Sequence, residues 1–129
     1  MARSKEIPNS GILLATSSSL PGKVVIGYKG IVFGEAIVGV NFVKDAFSKL
    51  TDVLGGRSSA YENELRNGRY TAISEMVNDA RKVGANAIFG IDIDYEVLGE
   101  KSSMLMVMAS GTACFVVDDN KNRGGENEE

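Results

Sequence analysis

Three carboxylates stand at alternate positions in Asp92-Ile93-Asp94-Tyr95-Glu96. In an extended strand, residues two apart point the same way, so Asp92, Asp94 and Glu96 share one face. Ile91, Ile93, Tyr95 and Val97 hold the other. Three oxygen ligands on one face suit a hard divalent cation such as Mg²⁺, Ca²⁺ or Mn²⁺. The alternative is a solvated or salt-bridged strand face. Adjacent like charges repel, so either a cation or arginines are expected beside them.

A second alternation follows in Met104, Met106 and Met108, with Cys114 further along the same face. Thioethers and a thiol could hold a soft ion such as Cu(I). The competing reading is methionine packing in a core or a subunit interface. The turn Leu98-Gly99-Glu100-Lys101 decides which neighbours these methionines have. A two-residue turn, the favoured kind with Gly first, puts them beside Ile91, Ile93 and Tyr95. A register slip of one puts them beside the carboxylates.

Two further places carry chemistry-bearing residues. Gly55-Gly56-Arg57-Ser58-Ser59 runs into a helix start. Backbone N–H groups at Gly56 and Ser58, with the Arg57 fork, could hold a phosphate or carboxylate. The lysine and spacing of a P-loop are missing, and a Gly stop, an Arg and an N-cap also make a plain helix-helix connection. Glu35 is a lone acid among apolar strand residues. Buried, it needs a partner at an interface or in an ion pair, for which Arg57, Arg66 and Arg69 are candidates. No residue is nominated as catalytic. A metal-dependent hydrolase using Asp92, Asp94 and Glu96 would need a pocket and a poised base, and no pattern locates either.

Composition narrows the field. The chain has 129 residues and no histidine, which excludes His-based triads and His-ligated metal sites. One cysteine cannot form an intramolecular disulfide, and a cytoplasmic, reducing setting is expected. The net charge of −3 is no footprint for nucleic acid. No apolar run reaches the ~18–20 residues of a membrane span. The polar start, Met1 to Glu6, does not read as a signal peptide. Residues 1–117 read as one neutral domain, and the acidic segment 118–129 as a disordered tail that carries the net charge.

The positioning elements follow from periodicity. Strands are expected at 12–15, 23–40, 87–98 and 102–117, the last pair forming a hairpin. Helices are expected at 42–54 after an Asn41 cap, and from Ser59 with Glu62 in a capping box and Gly84 at the C′ position. The order β-β-α-α-β-β makes an α+β domain with a mainly antiparallel sheet on two helices. Neither face of 102–117 is charged and both faces of 23–40 are largely apolar, although helices can cover only one face. The other face calls for a second copy of the chain, or for a sheet curled on its own core.

Several strings, in order and spacing, carry a resemblance. They are Gly34-Glu35-Ala36-Ile37 with Gly39 and Asn41, and Gly55-Gly56-Arg57-Ser58 with Ala60-Tyr61-Glu62. Gly84-Ala85-Asn86-Ala87-Ile88 and Gly90-Ile91-Asp92-Ile93-Asp94-Tyr95-Glu96 follow. Ser103-Met104-Leu105-Met106-Val107 and Ser110-Gly111-Thr112-Ala113 complete the set. Over residues 12–116 the chain resembles the YbjQ-like family of uncharacterised bacterial proteins. The resemblance implies a dodecin-like subunit of a ring-shaped homopentamer. It also implies a heavy-metal-binding description without an established activity.

Overall fold

The computed structural model describes residues 11–39, 59–99 and 104–120. Its elements are β1 (Leu13–Leu14), β2 (Lys23–Val38), α1 (Ser59–Lys82), β3 (Ala87–Leu98) and β4 (Met104–Asp118). They form an α+β unit with a mixed four-stranded sheet in the order β1-β3-β4-β2. β4 pairs antiparallel with β2 and β3, and the two-residue β1 pairs parallel with β3. The sheet is thus mainly antiparallel, with one short parallel pair. The expected helix at 42–54 lies outside the described residues, so one helix is seen on the sheet rather than two.

α1 ends as its sequence demands. The Ala85 N–H reaches the Ala80 carbonyl and the Gly84 N–H reaches that of Arg81, a Schellman closure. It requires a left-handed residue, and Gly84 has φ 79°. Ala72, Ile73, Met76, Val77 and Ala80 of the helix pack on Val32, Ile88, Val107, Ala109 and Ala113 of the sheet. The alanines among them, Ala72, Ala80, Ala109 and Ala113, let the helix lie close. At Gly34 a Cβ would overlap the Ala72 carbonyl oxygen and stand 2.7 Å from the Met76 nitrogen. Backbone meets backbone there.

The sheet's other face is closed at one end only. Residues beyond β1 continue beside β3, with the Ala15 N–H bonded to Ile88 and the Gly90 N–H to Ser17. Leu13, Ala15 and Leu20 then cover a second small core of Ala87, Phe89, Cys114 and Val116. Asn86 completes that end. Its side-chain amide donates to the Val116 carbonyl at 2.9 Å and accepts from the Val116 N–H at 2.8 Å. One amide thus does the work of a neighbouring strand residue.

The β3–β4 connection differs from the two-residue turn. Leu98 pairs with Met104, which leaves five residues between them. An odd count sets Glu96 against Met106 and Asp94 against Met108. The methionines therefore flank the carboxylates, not the isoleucines. β4 also runs one residue into the segment assigned to the tail. Lys23 Nζ donates to Asp118 Oδ1 at 2.6 Å, which anchors that residue in the sheet.

Gly34→Ala should cost about 3 kcal/mol, because the clash is with backbone that cannot rotate away. Gly39→Ala, which meets nothing within 4 Å, should be close to neutral. Urea unfolding of the two variants checks the difference.

A candidate acidic site on the open sheet face

Cross-strand pairing assembles the open face row by row. Phe33, Ser110 and Asp92 form one row, Glu35, Met108 and Asp94 the next, and Ile37, Met106 and Glu96 the third. The face is therefore apolar on β2, thioether-lined on β4 and acidic on β3. Ile31, Phe33 and Ile37 are 69%, 55% and 62% exposed. Side chains of this size are normally buried, so the surface is unfinished in a single chain.

The three acids lie on one face, as alternation requires. They do not converge. Alternate residues on a strand are about 6.6 Å apart, so Asp92 and Glu96 are separated by roughly 13 Å. A cation with bonds of about 2–2.6 Å cannot reach both. Among the described residues no group of three Asp, Glu or Cys side chains can hold a metal ion. Asp92 and Asp94 do interact. The protonated Asp94 carboxyl donates a hydrogen bond to Asp92, and this, then the like charge of Asp92 and slight desolvation, raises the Asp94 pKa from its ordinary value.

The soft-donor set is dispersed too. Cys114 shares a face with the methionines but stands six residues, about 20 Å, beyond Met108. It is buried under Leu13 and Ala15 in the second core. Burial pushes its thiol pKa up, so the metal-binding thiolate is disfavoured. A heavy-metal ion prefers thiolate or imidazole donors. This chain has neither to offer at one place, and the residues of a single copy do not fit such an ion.

Glu35 is exposed on the open face rather than buried. Pairing with Met108 turns it away from α1, where Arg66 and Arg69 lie. Arg66 instead stands 4.0 Å from Glu62, and Arg69 donates to the Tyr95 hydroxyl at 3.2 Å. Gly56, Arg57 and Ser58 lie outside the described residues. Sequence reasoning passed over a groove of about 590 Å³ at the far end of the sheet. It is lined by Leu13, Lys23, Asn86, Val116 and Asp118 among others. An Asn after Gly-Ala reads as a turn residue, so nothing in the pattern marked it.

The Asp92–Asp94 contact has a testable sign. A carboxyl whose folded pKa is raised destabilises the fold as pH rises past the unfolded value. Asp92→Asn should bring the Asp94 pKa down toward the ordinary range and remove that small loss. Carboxyl carbon shifts followed by NMR across pH 2–7 (about the range where carboxylates titrate) report it directly.

Known proteins place this geometry in context. Residues 12–117 match the family model described as "Putative heavy-metal-binding". A UPF0145 protein of Clostridium botulinum is 53% identical over 104 residues, which is 81% of this chain and 98% of that one. A UPF0145 protein of Listeria welshimeri is 54% identical over 105 residues, 81% of this chain and 96% of its own. A crystal structure of a protein of unknown function from Pediococcus pentosaceus, of the DUF74 family, has a TM-score of 0.49 at 14% identity. It covers 83% of this chain and 99% of that one. The extent of the family match and the identity of these relatives establish that the chain belongs to the YbjQ-like family of uncharacterised bacterial proteins.

Proposed function

We propose that the chain is a non-catalytic subunit of a dodecin-like homopentameric ring, and that the ring binds a hard divalent cation between subunits. The observation that carries this reading is the open face. Its apolar half is too exposed to be a finished surface, and its acidic half is too spread out to be a finished site. Further copies would remedy both deficits at once. They would bury Ile31, Phe33 and Ile37, and they would bring oxygen ligands to Asp92, Asp94 and Glu96 that one strand cannot supply.

The donor chemistry favours a hard ion over a soft one. The open rows offer carboxylates, while the single thiol is buried and held protonated. With its one cysteine buried and free, a cytoplasmic setting goes with this reading. The competing reading is a ring without ligand, which the lack of a converged acid group in one chain favours. No helix among the described residues is long and apolar enough to cross a membrane.

Mn²⁺ titration followed by electron paramagnetic resonance separates the two. Asp92→Asn with Asp94→Asn should weaken binding roughly tenfold or more, since one charge-assisted contact is worth about 1.5–3 kcal/mol. Binding that ignores the substitutions, or no binding by the assembled protein, would leave the bare ring.

A further inference from the structure

We infer that the two free edges of this sheet, residues 31–38 of β2 and 92–98 of β3, pair with each other between successive copies of the chain. The inference rests on the ring proposed above and names the joint that would close it.

Among the described residues the sheet order leaves β2 at one edge over its whole length. On its outer edge, among the described residues, β3 has a strand neighbour only at Ala87 and Ile88, and residues 15–17 cover it no further than Ile91. From Asp92 on, its outer edge faces no strand among the described residues. Unpaired edges are templates for another strand, and proteins usually blunt them with Pro, Lys or bulges. The bulges of β2 fall before Ile31, and that of β3 falls before Asp92. What remains is regular, and residues 31–38 contain neither Pro nor Lys. The two bare stretches are eight and seven residues long.

Their placement matches the geometry of a closed ring. β2 and β3 both run antiparallel to β4, so they are parallel to each other. A copy added at the edge therefore continues the sheet through a parallel β2–β3 ladder. Cyclic symmetry has no rise, so the joined surfaces must lie near one level, within the stagger that strand tilt imposes. They do: Phe33, Glu35 and Ile37 share rows with Asp92, Asp94 and Glu96 across β4.

Charge weighs against stacking two open faces. These rows carry Glu35, Asp92, Asp94 and Glu96 and no Lys or Arg. Stacking two open faces would set acids against acids, whereas edge pairing keeps the acid columns apart by the width of the three long strands. The joint does bring Glu35 of one copy beside the acid column of the next. Within a chain Glu35 and Asp94 are two strand spacings apart, about 9.6 Å, and across a level joint about 4.8 Å. That repulsion is what a shared divalent cation would relieve.

Engineered disulfides test the joint in the full chain. Phe33→Cys is combined in turn with Asp92→Cys, Asp94→Cys and Glu96→Cys, to allow for the ladder's register. Inside one chain these positions are too far apart to bridge, since a disulfide needs Cα atoms within about 7 Å. Mild oxidation should give a covalent multi-chain ladder for at least one pair and for no single variant. Ile31→Lys with Ile37→Lys, both exposed in one chain, should keep the circular dichroism spectrum and lose the multi-chain species. A complex that yields no cross-link, or that survives the lysines, would overturn the joint and leave the ring standing. A wild-type protein that is a single chain would overturn both.

Discussion

The contact between Gly34 and the Ala72–Met76 turn of α1 organises the rest of the molecule. No side chain fits there, so the helix settles on the backbone of β2. From that seat it spans β2 and β4 and scarcely reaches β3. Tyr95 and Val97, on the helix side of β3, stay exposed as a result. The opposite face gains no helix among the described residues. Only the stretch from Leu13 to Leu20 covers it, at the end where Cys114 and Phe89 lie. The open rows are what this arrangement leaves over.

Register then decides what those rows contain. An odd connection between β3 and β4 puts acids and methionines on one surface, where an even one would have parted them. The surface so made has oxygen donors in a line and sulfur donors beside them, none of them converging. A heavy-metal description and this donor set do not agree within one chain. A line of carboxylates next to bare apolar edges is better suited to a place where subunits meet.

Much of the fold was legible because local rules agree along the chain. α1 begins at Ser59 with Glu62 in its first turn, packs an apolar stripe on the sheet, and ends at Gly84 where a left-handed residue is required. Residues 91–97 alternate apolar and acidic in sequence, so the strand and the shared acid face were readable there. The absence of charge on either face of β4 foretold an uncovered surface. Other features depend on partners far away in sequence. The β3–β4 register hinges on how many residues the loop spends, and Gly99-Glu100 alone resembles a shorter turn. The β1–β3 pair joins segments more than seventy positions apart. The Asn86 amide finds Val116 thirty residues on. A lone acid among apolar strand residues does not say which face Glu35 takes; pairing turns it outward because the helix took the glycine side of β2.

The central claim is that this chain is one part of a cyclic assembly. Native mass spectrometry of the full chain in a volatile salt buffer tests it most directly. The proposed ring should appear as a single dominant species of five chains, stable to dilution into the micromolar range typical of specific interfaces. A clean single-chain mass would contradict it. The exposed apolar rows would then be the surface of a monomer, and the acids a solvated strand face.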